Sequence, residues 1–178
     1  MSRAAVFLDR DGVLNEARVV DGRPYPPSGL DDVKILPGVQ EACRALSAAG
    51  LPLIVITNQP DIARGTADRA EVDAINDRLL GALSLDEVVV CPHDDADGCE
   101  CRKPRPGMLL DAARRHDIDL ARSVTVGDRW RDVEAGRAAG TRTVFVDRHY
   151  AEARPSAPDL TVGDLKESTE WIIETATR

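Results

Sequence analysis

Histidine is scarce in this 178-residue chain, at three residues, and aromatic side chains make up only 3% of it. With so few imidazoles, acid–base chemistry falls to carboxylates. No apolar run approaches the ~20 residues that cross a bilayer as a helix, which excludes a segment of that kind. The opening stretch MSRAAVFLDRDG reaches acidic side chains too soon for a signal peptide, so export is not expected. Positive charge is also in deficit. There are 23 Lys and Arg against 31 Asp and Glu, a formal net charge of −8. Phosphate backbones and anionic lipid surfaces select basic faces, so neither nucleic acid nor a membrane is an expected partner. A hydrophobic content of 43% is near the globular norm and excludes wholesale disorder. The expectation is a cytoplasmic monomer with one domain over residues 1–178.

What is present alternates. Ala4–Leu8, Leu51–Thr57, Glu87–Val90, Ser123–Val126 and Thr143–Val146 are short apolar runs that read as buried strands. Between and after them, Val39–Ala49, Ala67–Leu83, Gly107–His116, Arg131–Ala139 and Asp164–Thr175 carry helical spacing, with Gly50 and Gly140 as helix C-terminal residues. Strand–helix alternation implies right-handed crossovers and a parallel sheet covered on both faces. The fold class is therefore α/β, a Rossmann-like three-layer α/β/α sandwich. Asn15–Leu36 and Cys91–Pro106 are long loops for such a fold, and long loops in compact domains tend to be functional.

Open parallel sheets bind ligands at the carboxyl ends of their strands. Asp9-Arg10-Asp11-Gly12 follows the first strand, and Thr57-Asn58-Gln59 ends the second. Arg102-Lys103-Pro104 comes after the third, beyond a cysteine-rich loop, and Gly127-Asp128 with Asp132 follows the fourth. Taken singly these read as a turn, a polar loop, a solvated basic patch and an acidic helix start. Together they supply a nucleophile, a hydroxyl, a cation and metal-binding carboxylates. A carboxylate can attack phosphorus and hold the phosphoryl group, dividing the displacement into two easier steps. Attack on an anionic phosphate needs charge neutralisation, which Mg²⁺ and a lysine provide.

Asp9-x-Asp11-Gly12, Thr57-Asn58, Lys103 and Gly127-Asp128-x-x-x-Asp132 resemble, in order, the four motifs of the haloacid dehalogenase superfamily. The resemblance implies Asp9 as nucleophile and Asp11 as general acid/base, its backbone carbonyl also on Mg²⁺. It implies Thr57 and Lys103 as phosphoryl stabilisers, Asp128 as a further Mg²⁺ ligand and Asp132 as support. No insertion large enough to form a cap domain follows the first or second strand, so the site is expected to be capless and hydrolytic.

Cys91-x-His93 and Cys99-x-Cys101 place four soft ligands within eleven positions. Three cysteines and a histidine form a standard structural Zn²⁺ set. Disulfides or loose thiols are the alternative, although disulfides suit exported chains. A zinc-bound loop over 91–106 would order the segment ahead of Arg102 and Lys103. Cys43, at an apolar helical position, reads as a buried thiol.

The cysteine loop running into Arg-Lys-Pro narrows the resemblance to the branch holding the D-glycero-D-manno-heptose 1,7-bisphosphate 7-phosphatases and the histidinol-phosphatases. Ile62-Ala63-Arg64-Gly65 and Arg102–Met108 tilt toward the former. The implied partner is a small phosphorylated sugar, met by Arg10, Asn58, Gln59, Arg64, Arg102 and Arg129, with Arg64 facing a second anionic group. The stretch Glu16-Ala17-Arg18-Val19-Val20 departs from the heptose-enzyme pattern, so the recognition loop 16–29 differs. Histidinol phosphate or another sugar phosphate is the alternative substrate. A zinc-stabilised binding module is the non-enzymatic one.

Overall fold

The computed structural model describes residues 2–177. Its centre is strand β1 (Val6–Leu8), whose three residues are fully buried. Side chains alternate across a strand, so Val6 and Leu8 enter one apolar cluster and Phe7 the other. After β1 the chain forms a small hairpin of β2 (Arg18–Val20) and β3 (Arg23–Tyr25), then α1 (Val39–Ala48), β4 (Leu53–Asn58), α2 (Arg69–Ala82) and β5 (Glu87–Cys91). It returns through α3 (Gly107–His116), β6 (Val124–Gly127), α4 (Trp130–Ala139), β7 (Arg142–Val146), β8 (Leu160–Val162) and α5 (Leu165–Thr177).

Six of the strands form one parallel sheet in the order β5-β4-β1-β6-β7-β8. Residues of α1, α2 and α5 pack on the Val6/Leu8 face, and residues of α3 and α4 on the Phe7 face. This is the expected three-layer sandwich. The chain builds outward from β1 to β5, then resumes on the other side at β6. That reversal leaves a crevice at the carboxyl ends of β4, β1 and β6, where doubly wound sheets bind ligands.

Two elements depart from the sequence reading. The segment 15–36, expected as a loop, carries the β2–β3 hairpin and a 3₁₀ turn at Leu30–Asp32. Its Asp21-Gly22 turn has φ of 50° and 74°, the pattern of a tight two-residue hairpin. Both strands are largely exposed, so no burial periodicity announces them. The edge strand β8 is also absent from the sequence reading: it is only three residues long, although its Leu160 and Val162 pack against the core. Only the β2–β3 hairpin, the 3₁₀ turn and α1 lie between β1 and β4, and only α2 between β4 and β5, so no cap domain is inserted and the fold is capless as expected. No helix among the described residues is long and apolar enough to cross a membrane.

Candidate active site

Three adjacent strands deliver the floor of the site. Asp9 follows β1, and its N–H donates to the Val126 carbonyl of β6 at 2.9 Å. Thr57 is the penultimate residue of β4 and is almost fully buried. Asp128 follows β6 and is 2% exposed. Lys103 arrives from the loop before α3, also 2% exposed. Its Nζ donates to Asp9 Oδ1 at 2.8 Å and to the Ile56 carbonyl at 2.8 Å, and lies 2.6 Å from Asp132 Oδ1. Burial alone would lower this ammonium, but the Asp132 and Asp9 carboxylates outweigh it and raise its pKa. Lys103 therefore stays charged, held between two anions.

Asn58 fixes where that lysine sits. Its Oδ1 accepts from the Lys103 N–H and its Nδ2 donates to the Lys103 carbonyl, both at 3.1 Å. One amide side chain thus clamps the backbone at both polar atoms. A second set of bonds fixes Asp11. Arg10 donates to both of its oxygens at 3.2 and 3.0 Å, Asn15 donates to Oδ1 at 2.9 Å, and Gln59 donates to Oδ2 at 2.8 Å. Gln59 also donates to Thr57 Oγ1 at 2.9 Å. Arg10 is fully buried, and Asn76 of α2 accepts its remaining donor at 2.9 Å. A buried guanidinium is tolerated when paired in this way.

Asp9, Asp128 and Asp132 each offer an oxygen within 4.8 Å of the others. Three buried carboxylates this close repel one another. Burial, then the Asp132 carboxylate, push Asp9 up to about 6. Burial, then Asp9 and Asp132, hold Asp128 well above the usual carboxylate range. Asp128 Oδ1 is buried without a partner. Hard oxygen ligands, surplus negative charge and an orphaned acceptor together fit a divalent cation such as Mg²⁺. The carboxylate of Asp11 stands apart from this group, engaged by its four donors, and Asp132, expected as support, brings a third carboxylate to it. Glycine makes the crowding possible. A Cβ on Gly12 would lie 1.8 Å from Asp128 Oδ2.

A cleft of about 520 Å³ opens above this floor, and the expected Arg64, Arg102 and Arg129 line it. Each is bound to carboxylates: Arg64 to Asp94 at 2.7 Å, Arg102 to Asp95 at 2.8 Å, and Arg129 to Glu152 at 2.8 Å. Arg10 and Gln59, expected at the substrate, instead turn their side chains to the Asp11 carboxylate. Both side chains are buried and neither lines the cleft. Arg105, though close in sequence to the basic motif, turns to the carbonyls of Gly98 and Cys99 in the cysteine loop. The structure adds Arg23, Arg131 and Trp130 to the lining. Arg23 is the one cleft arginine without a carboxylate partner among the described residues. A helical or strand period could not flag it, because its hairpin is exposed on both faces.

The second cluster stands on the cleft rim. Cys91 Sγ lies 3.2 Å from Cys101 Sγ, 3.7 Å from Cys99 Sγ and 3.6 Å from His93 Nδ1. His93 Nδ1 is 3.2 Å from Cys101 Sγ, and Cys101 Sγ is 3.4 Å from Cys99 Sγ. A tetrahedral ion with metal–sulfur bonds of ~2.3 Å sets sulfur atoms ~3.8 Å apart. The four ligand atoms are therefore gathered close to the geometry of a closed zinc site. All four cysteines are free of disulfides, and Cys43 is buried as expected.

Residues 100–168 match the family model described as HAD-hydrolase-like. The D-glycero-beta-D-manno-heptose-1,7-bisphosphate 7-phosphatase of Bordetella bronchiseptica is 42% identical over 140 residues, covering 76% of this chain and 75% of its own length. The enzyme of the same name from Escherichia coli K12 is 33% identical, over 95% of this chain and 87% of its own. A crystal structure of D,D-heptose 1,7-bisphosphate phosphatase from B. bronchiseptica, complexed with magnesium and phosphate, superposes with a TM-score of 0.81 at 35% identity. It covers 96% of this chain and 98% of that one.

Proposed function

The chain belongs to the haloacid dehalogenase-like phosphatases, and from that premise we propose that it removes the 7-phosphate of D-glycero-D-manno-heptose 1,7-bisphosphate through an aspartyl-phosphate on Asp9. The observation that carries the chemistry is the pairing of Asp9 with Lys103 at 2.8 Å, beside an acidic trio whose Asp128 Oδ1 has no partner. The relatives' shared name supports the substrate.

Lys103 holds one oxygen of Asp9, leaving the other to attack phosphorus. The new P–O bond forms as the ester P–O bond breaks, and Asp11 gives its proton to the departing sugar oxygen. Asp11 then takes a proton from water. That water attacks the phosphorus, which frees Asp9 and releases inorganic phosphate. Thr57 and Lys103 meet the equatorial phosphate oxygens, where preorganised donors count most. Asp9, Asp128 and the Asp11 carbonyl would hold Mg²⁺, whose charge, when it is bound, offsets repulsion between carboxylate and phosphate. Asn58 serves by placing Lys103, and Arg10, Asn15 and Gln59 by aiming Asp11. Arg23, Arg64, Arg102 and Arg129 take the sugar and its second phosphate, with Arg23 the cation free to do so without first leaving a carboxylate. Cys91, His93, Cys99 and Cys101 hold a structural Zn²⁺ that stiffens the wall carrying Arg102. One domain, acting as a cytoplasmic monomer, suffices for this chemistry.

Phosphate release measured in Mg²⁺ tests the proposal, with both heptose bisphosphate anomers, histidinol phosphate and simple sugar monophosphates as substrates. A heptose bisphosphate is turned over best, and Asp9→Asn loses at least about a thousandfold in rate. Equal or faster release from histidinol phosphate overturns the substrate. Release that persists in Asp9→Asn overturns the nucleophile.

A further inference from the structure

The segment after β7 has no motif in it, yet it reaches Gly12, Asp128, the β2–β3 hairpin and Arg129. Arg148 Nε donates to the Gly12 carbonyl at 2.8 Å. Tyr150 donates its hydroxyl to Asp128 Oδ2 at 2.9 Å. The Ala151 N–H donates to the Gly22 carbonyl at the hairpin tip, also at 2.8 Å, and Glu152 pairs with Arg129. Residues 148–152 thus form a strap bonded on both sides of Tyr150.

We propose that Tyr150 is a positioning residue for the divalent cation: by occupying Oδ2 of Asp128 it commits the buried, unpartnered Oδ1 to the metal. The inference rests on the magnesium reading above. A carboxylate free to rotate would present either oxygen, and a donor on one of them removes that freedom. The donor's charge matters equally. An arginine or lysine at this place would neutralise Asp128, whereas a phenol leaves its negative charge for the cation. Asp132 shows the contrast, since one of its oxygens faces Lys103 and the other accepts from the Arg129 N–H. Asp128 has only the neutral hydroxyl.

Sterics close the remaining freedom. A Cβ on Gly12 would lie 2.8 Å from the Tyr150 hydroxyl as well as against Asp128 Oδ2. Backbone, carboxylate and phenol therefore meet with no slack, and the Arg148 bond to Gly12 ties the strap to that point. Donors to the non-ligating atoms of metal ligands commonly contribute ten- to a hundredfold in metal affinity.

Calorimetric titration with Mg²⁺ of protein freed of Mg²⁺ but retaining its Zn²⁺ tests this directly in wild type, Tyr150→Phe and His149→Ala. The phenylalanine keeps the ring and removes only the hydroxyl. We expect Tyr150→Phe to bind Mg²⁺ about ten- to a hundredfold more weakly. His149→Ala, on the same strap with an exposed ring, binds as wild type does. Tyr150→Phe binding Mg²⁺ within twofold of wild type would overturn the inference, even if its melting temperature or kcat fell. Wild type that binds no Mg²⁺ would instead bring down the magnesium reading itself, a result the titration separates from the first.

Discussion

The floor of the cleft and its walls are built on different principles. On the floor, Asp9, Lys103, Asp128 and Asp132 are nearly inaccessible, and each is fixed by bonds to strands or to one another. The walls are mostly loops and a hairpin: Arg64 and Arg129 are part-exposed and pair with Asp94 and Glu152, Arg102 is more buried and pairs with Asp95, and Arg23 has no carboxylate partner among the described residues. Buried charge at close range is where interactions are strong and poorly screened, while exposed pairs contribute little to stability. The floor is thus suited to a reaction common to all phosphate esters. The walls are suited to choosing among them, because exchanging one weak ion pair for a substrate phosphate costs little.

Metal removal gives the sharpest separation of the two. Stripping Zn²⁺, or Cys101→Ser, should lower the thermal midpoint by roughly 10 °C, on the scale of several kcal/mol for a chain of this length. KM should rise with it. Removing Mg²⁺ alone should abolish turnover with a much smaller change in midpoint. A zinc-free protein with unchanged midpoint and KM would break the distinction. The next effect belongs to the floor and depends on pH. Mg²⁺ needs Asp9 and Asp128 ionised, and both have raised pKa values in the metal-free fold, Asp9 at about 6. Protons therefore compete with the cation as pH falls through that value. The half-saturating Mg²⁺ concentration should rise about tenfold between about pH 7.5 and about pH 5 from Asp9 alone. Activity titrations across that range check it, and a flat dependence would count against Asp9 and Asp128 as ligands of the cation. The smallest effect is expected at the hairpin. Arg23→Ala should raise KM for the bisphosphate severalfold, on the order of one exposed charge-assisted hydrogen bond, and leave a sugar monophosphate unaffected. Equal losses on both substrates would move Arg23 out of the role of reader.

Much of the floor was legible in the sequence because it lies at strand ends, and buried strands advertise themselves as apolar runs. Leu53–Asn58 and Val124–Gly127 fall within or beside the expected runs, which put Thr57 and Asp128 at the crevice. The cysteine cluster was legible from spacing alone. The walls were not. The β2–β3 hairpin has no buried face to create a period, and Tyr150 lies 22 residues beyond its partner Asp128 in a segment without regular structure. Arg10 and Gln59 mark a different limit. Their neighbours in sequence enter the cleft, but the alternation of side-chain direction holds only within a strand, and Arg10 and Gln59 lie one or two residues past a strand end, where it no longer fixes which way a side chain turns.

The sheet order also decides where the molecule tolerates attachment. All the chemistry sits at one end of β4, β1 and β6. The connections at the opposite end, around 49–52, 83–86, 117–123 and 140–141, carry none of the cleft's lining. A fluorophore, an affinity handle or a fused partner placed there, or a surface tether that anchors the enzyme by that end, would leave the mouth of the cleft facing solution.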